Sequence, residues 1–586
     1  MSGLKMKNRQ NKTAFMAIVA VLALVALPVV TVVQHASALS QLTVTSNSGS
    51  VSGGETVTVT GGAKVRFAQV SMADYHTLAL ASDGTVYAWG WNSDGQLGNG
   101  SSISSLVPIA VTTAGTPMAG KTIVQVAAGD SFSLALASDG TVYSWGENGA
   151  GKLGDGSGND SDVPVAVTTA GTPMAGKTIT QIAAGEETAL ALASDGTVYG
   201  WGDNFASQLG NASNSDAPVP VAVTTAGTPM AGKTIKQVAV GDSYSLVLAT
   251  DGTMYAWGDN SYGGLGDSST NNTNVPVAVV VAGTPLAGKT VTQVAAGFGT
   301  SVALASDGTV YTWGLNDYGE LGNGTTGSNS SVPVAVTTAG TPMAGKVISQ
   351  VSSQNEFSIA VATDGTVYGW GANGDGQLGD NTNNDSNVPV AVTTAGTPMA
   401  GKAIEATGTG ANAEFSVVVA SDGTAYAWGA NDSDGELGNG STTPSSVPVA
   451  VTMPVNLTPV SVTLGGTLAT NLQVTGGGDV TFTAPAHAAG VVDVVITYSN
   501  GASQSVLGAY TYVAAQSGGG AGTGTGSSGD ETESAVPGAP NTGILAVSTK
   551  AGGINLGAIA AAVIGAATTL AAAGVVWAVR RAKLEQ

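Results

Sequence analysis

The sequence predicts an all-β molecule: a seven-bladed β-propeller inserted in a β-sandwich, followed by a C-terminal transmembrane helix. Three observations predict it. The phrase DGTVYAWG appears in seven copies, with small changes, through the middle of the chain, short segments of alternating apolar and polar residues flank that repeat, and the uncharged stretch 556–579 precedes a basic end. Composition agrees. With 85 glycines, 10% charged and 43% hydrophobic residues in 586, the chain suits many short strands joined by tight turns, not a solvated disordered polymer.

The repeat places tryptophans at Trp89, Trp145, Trp201, Trp257, Trp313, Trp370 and Trp428, in steps of 56, 56, 56, 56, 57 and 58 residues. Each unit runs through an inner apolar segment such as IVQVAAG (123–129), a second such as SFSLALA (131–137), and a third, TVYSWG (141–146). After a GxLGxG loop comes a fourth such as VPVAV (163–167). Asp83, Asp139, Asp195, Asp251, Asp307, Asp364 and Asp422 each precede a glycine, the pair that supplies φ > 0 in a tight hairpin. The second and third segments are therefore antiparallel strands. Four such strands per unit, seven times over, make a propeller. Radial packing of blades buries both faces of each sheet, which accounts for the scarcity of charge.

On these motifs the unit GDSFSLALASDGTVYSWGENGAGKLGDG (129–156) resembles the repeat of the regulator-of-chromosome-condensation family, and the resemblance covers residues 64–453. It implies a seven-bladed platform whose function lies in its surface. The family's nucleotide exchange on a small nuclear GTPase and its chromatin binding imply a nuclear location and basic surfaces. Between residues 13 and 543 this chain instead has ten basic and 38 acidic residues, a charge of −28, which repels a phosphate backbone and argues against nucleic acid. Family photoreceptors for UV-B use tryptophans in the second strand, where this chain has Phe132, Tyr244 and Phe357. Its seven repeat tryptophans lie in the WG strand, where packing is the expected role. Family repeats often carry histidine in the second strand, and here His76 alone keeps it.

Both ends read as targeting segments. A basic start, an apolar run and the A-x-A site Ala36-Ser37-Ala38 predict a secretory signal peptide over 1–38, the alternative being an uncleaved membrane helix. Residues 556–579 would span about 36 Å as a helix, with Trp577 at the interface and a basic cytoplasmic tail over 580–586. Residues 514–538 are rich in Gly, Ser and Thr and predict a flexible stalk. Next come Ala539, Pro540, Asn541, Thr542 and Gly543. This APNTG resembles a sortase sorting signal with Ala539 in the usual Leu position, which implies sortase as a processing enzyme and a cell-wall linkage. A turn in the stalk of a simple membrane anchor is the alternative.

The flanking segments belong together. In SGSVSGGETVTVTGG (48–62), Val57 and Val59 alternate with Thr58 and Thr60, the period of a half-buried strand. A lone hairpin cannot bury its face. After the seventh VPVAV, the stretch 455–513 alternates again at Val480, Phe482, Val492, Val494, Ile496 and Tyr498. It resembles the later part of an IPT/TIG immunoglobulin-like domain, and 41–62 resembles the missing first part. The expectation is one immunoglobulin-like sandwich split by the propeller, since insertions succeed where two chain ends lie close. The alternative is a stray edge strand over 41–62.

Chemistry is sparse. There is no cysteine, which removes disulfides, thiol catalysis and Cys-ligated metal. GDS at 129–131 and 241–243 resembles a serine-hydrolase motif, yet the same repeat phase holds GEE and GFG, as a connecting turn would. A serine nucleophile needs a base in reach, and beyond the signal segment only His76 and His487 are available. Acidic loops such as NDSDGELG (431–438) carry oxygen ligands suited to Ca²⁺ but lack a regular ligand spacing. No catalytic, cofactor or metal site is expected. AGTPMAGK, recurring before blades two to seven, places Lys121, Lys177, Lys233, Lys289, Lys346 and Lys402 at equivalent positions. They form either a solubilising turn or a basic docking rim for an anionic partner. The leading expectation is a non-catalytic binding or adhesion protein on a bacterial surface, wall- or membrane-anchored, with an extracellular protein or glycan as ligand. A structural envelope protein is the alternative, and an extracellular enzyme comes third.

Overall fold

The computed structural model describes residues 42–514 apart from 61, 63–64, 411, 454–458, 476–477 and 499–502. The predicted signal peptide, nearly all of the stalk, the APNTG motif, the apolar segment and the basic tail lie outside the described residues. Among the described residues no helix is long and apolar enough to cross a membrane.

Residues 67–450 form seven four-stranded antiparallel sheets, each from one contiguous run of chain and each in simple sequence order. The second blade shows the pattern: Ile123–Ala128, Phe132–Ala137, Val142–Gly146 and Ser161–Ala166. The second and third strands are buried along their whole length, because each blade covers a face of its neighbour.

Two devices join blade to blade. The repeat tryptophans are fully buried, and each indole Nε1 donates to a backbone carbonyl of the preceding blade, as from Trp145 to Gln96 and from Trp257 to Gln208, both at 2.8 Å. The glycine of the preceding LG pair makes room. A Cβ on Gly98 would lie 2.7 Å from the Trp145 Nε1.

The second device lies in the inner strands, which are edge strands with unpaired backbone groups. Gln69 donates to the carbonyl of Val126 and accepts from its amide, at 3.1 and 3.0 Å. Gln125, Gln181, Gln237 and Gln293 repeat this two-point clasp on the next blade. Gln350 splits its clasp between Glu405 and Thr407.

Blade seven has Ala406 in place of the glutamine, so the seam back to blade one closes differently. There Ser71 Oγ and the Met72 amide both donate to Thr409 O, at 2.7 and 2.8 Å, and Trp89 donates to Glu436 O. A shared core that includes Val65, Phe67, Trp89, Phe415 and Leu437 fills the joint.

The flanking segments build two further sheets. Thr43–Thr45 and Thr56–Thr60 join Val480–Thr483 and Thr470–Val474 in one. Ser48–Ser50 pairs parallel with the end of Ser503–Val513 in the other, beside Gly490–Tyr498 and Pro459–Leu464. One core holds Val57 and Val59 with Val462, Val480, Phe482, Val494, Ile496 and Tyr510. The Tyr498 hydroxyl donates to Gly62 O, tying the late strand to the point where the chain leaves for the first blade.

Candidate functional site

Strand order divides the loops between two rims. The Asp-Gly turns and the AGTPMAGK loops share one rim. The loops between first and second strands, and between third and fourth, share the other.

On the first rim the six repeat lysines are engaged. Lys121 meets Asp139, Lys177 Asp195, Lys233 Asp251, Lys289 Asp307, Lys346 Asp364 and Lys402 Asp422, each at 2.6 Å. The lysine hydrogen bond holds the carboxyls of Asp139, Asp195, Asp307 and Asp364 down at about 2. The lysines form a ring of ion pairs with the hairpin aspartates, not a row of free cations. Near Lys289 a cavity of about 120 Å³ is lined by Thr253, Tyr255, Val281 and Leu286. Leu286 stands where the other loops place a buried methionine such as Met230.

The opposite rim is acidic. Its inner loops carry Asp74, Asp130, Glu186, Asp242, Phe298, Asn355 and Asn412 around the central mouth, and successive loops are tied by backbone bonds such as Asp130 N to Glu186 O. Asn412 Nδ2 reaches from blade seven to Asp242 Oδ1 of blade four at 2.9 Å. Burial, then repulsion from Asp74, raises the Asp130 carboxyl to about 7, with Lys152 pulling the other way. Burial and a shared hydrogen bond with Asp242 raise Glu186 to about 8. Asp74, Glu356 and Glu414 are also raised, chiefly by burial.

The outer loops on this rim are built on a buried asparagine two residues beyond each WG: Asn92, Asn148, Asn204, Asn260, Asn316, Asn373 and Asn431. Each side-chain amide donates across its loop to one or two backbone carbonyls, while its oxygen accepts from the loop leucine amide. For Asn260 the acceptors include Ser269 O and Asn271 O, and the donor is Leu265 N at 3.0 Å. WGxN recurs in all seven copies, and that recurrence is the sequence signal of these asparagines. On these braced loops stand Phe205, 86% exposed, Tyr318, Trp91 and Tyr262; the inner-loop rings Tyr75 and Phe298 meet the last two, Tyr75 against Trp91 with ring centres 5.3 Å apart and Phe298 near Tyr262 at 6.0 Å.

Among the described residues neither histidine is bonded to a serine of the GDS turns. His76 is fully buried, its Nε2 lies 2.8 Å from Ser133 Oγ, and burial pushes its pKa down to about 3. Ser133 in turn donates to Gln96 O, so the pair is a packing element. Ser243 of the second GDS donates to the neighbouring Asp242. His487 stacks on Tyr512, outside the blades. Among the described residues no three His, Asp or Glu side chains gather as metal ligands.

The model of the RCC1-like domain matches residues 39–413, and that of the regulator of chromosome condensation (RCC1) repeat matches 422–470. The chain is 34% identical over 315 residues to the ultraviolet-B receptor UVR8 of Arabidopsis thaliana, covering 54% of this chain and 67% of that one. It is 33% identical over 324 residues to the E3 ubiquitin-protein ligase HERC2 of Homo sapiens, covering 55% of this chain and 6% of that one. The crystal structure of human WBSCR16 matches with a TM-score of 0.51 at 24% identity, over 59% of this chain and 85% of that one, a likeness of fold. With repeated blades, WG tryptophans between them and a family model over more than half its length, the chain belongs to the RCC1-like domain family.

Proposed function

We propose that this protein is an exported, surface-anchored, non-catalytic binding or adhesion protein of a bacterial cell. In this reading a seven-bladed propeller head presents its acidic, aromatic rim to an extracellular protein or glycan. An IPT/TIG-like sandwich, split by the propeller, is its base, and residues 514–538 are its stalk. APNTG and the apolar segment 556–579 attach it to the wall or the membrane.

The observation that supports the reading most directly is the contrast between rims. One is closed by Lys–Asp pairs, while the other sets Phe205 and Tyr318 on loops braced by buried asparagines, around an inner set of loops that carry carboxylates. Braced loops lose little freedom on binding, which favours recognition. Probing arrays of glycans and of host-surface proteins with the purified chain tests it. Selective, saturable binding that is lost on Phe205→Ala is the expected result. No binding on any array, with unchanged adhesion of cells lacking the protein, would leave an envelope structural role instead.

A further inference from the structure

We propose that the loop rim docks a lysine- or arginine-rich polypeptide segment, its cations taken by the carboxylates around the central mouth and its aliphatic stems packed on Tyr75, Phe205 and Tyr318. The proposal rests on the binding reading above and names the partner's chemistry.

Exposure is the first observation. Among the described residues, the three aromatic side chains that stand exposed are Tyr75 at 41%, Phe205 at 86% and Tyr318 at 43%, and all three belong to this rim. An isolated exposed ring is ordinary. Three on one rim and none on the other, beside the partly covered Trp91, Tyr262 and Phe298, mark a surface made for contact.

Charge selects the occupant. Among the described residues the one cation on this rim is Lys152, whose ammonium is buried between Glu147 at 2.6 Å and Glu187 at 3.1 Å. The other mouth carboxylates have neutral hydrogen-bond partners, as Asp242 has Asn412 and Ser243, but no cation of their own: Asp74 and Asp130 repel, and Glu414 feels Asp74, Glu356, Asp375 and Asp432. An arriving cation relieves that repulsion, whereas an acidic glycan or a phosphate backbone adds to it, and a neutral glycan leaves it uncompensated. Aromatic faces beside carboxylates also suit ammonium and guanidinium groups through cation–π attraction. A single metal ion does not fit, because the carboxylates are spread around the mouth with no three gathered.

The test uses the full chain and a fluorescent oligolysine, with oligoglutamate and neutral dextran as comparators. Expected is saturable binding of one oligolysine per chain that weakens as salt is added, and none of the comparators. Phe205→Ala combined with Tyr318→Ala keeps every charge and is expected to weaken binding about tenfold, which separates docking from general attraction to an acidic protein. At about pH 9, where both groups are ionised and lysine keeps its charge, Asp130→Asn with Glu186→Gln should weaken it similarly, while Lys121→Ala on the far rim leaves it unchanged. Equal binding by the aromatic variant, or several oligolysines per chain, overturns the proposal. A neutral glycan found on the arrays, with no oligolysine binding, overturns it while leaving the binding reading intact. Failure on both counts removes both.

Discussion

Asn260 shows how much a single side chain organises. Buried among loop backbone, it satisfies several polar groups at once, and its removal strands them without water. Asn260→Ala is expected to cost about 1–3 kcal/mol in thermal or denaturant unfolding, whereas Asn271→Ala, on the exposed tip of the same loop, should fall within about 0.5 kcal/mol. The mouth carboxyls give a second residue-scale expectation, in pH. Asp130 and Glu186 sit at about 7 and about 8 when native, against ordinary values of 3.8 and 4.5. Between those limits the native state keeps protons that the unfolded chain releases, so stability falls as pH rises through the window and levels off above it. Asp74, Glu147, Glu187, Asp242 and Lys152 surround the two groups. The Lys-paired rim aspartates, held near 2, do not titrate there. Melting followed by circular dichroism should therefore give a lower Tm at mildly alkaline than at mildly acidic pH, with a flatter slope in Glu186→Gln. A Tm that rises with pH across this interval would contradict the assignment.

Elements were legible to the degree that their cause is local. The Asp-Gly turns and alternating or continuous apolar runs marked the second and third strands of every blade, because turn chemistry and burial act within a few residues. The glutamine clasps were not read, since Gln69 is satisfied by Val126 one blade away, and no local pattern states that distance. Likewise Thr56–Thr60 announced itself by alternation, and Val57 and Val59 are indeed fully buried. Ser48–Ser50 carries no apolar signal and is a strand only because the end of Ser503–Val513 offers it a free edge. The difference between faces is measurable. Truncating Val57 or Val59 to Ala should cost the sandwich about 1–3 kcal/mol. Thr58→Ala, on the other face, should cost under about 0.5 kcal/mol. Equal losses at all three would mean that the strand's register is wrong.

At the scale of the whole molecule, attachment and integrity make separate demands. If APNTG is a sorting signal, Thr542→Ala should move the protein from the wall fraction to the membrane fraction. Release by muramidase that is identical in wild type and variant would make the segment a plain membrane anchor.

Integrity turns on where the ring closes. No blade borrows a strand from 42–60, and the seam between blades one and seven is made by Ser71, Met72, Trp89, Thr409 and Glu436, all within the repeat. The two flanking sheets, by contrast, both draw strands from that segment. Deleting 42–60 from the full chain would strip Val57 and Val59 from the core and expose the edges of Val480–Thr483 and Ser503–Val513. Limited proteolysis of the deletion variant should then cut throughout 459–513 and spare 67–450. Resistance of 459–513 equal to that of the intact chain would show that the late strands fold alone, and that the early segment is a passenger on a finished domain.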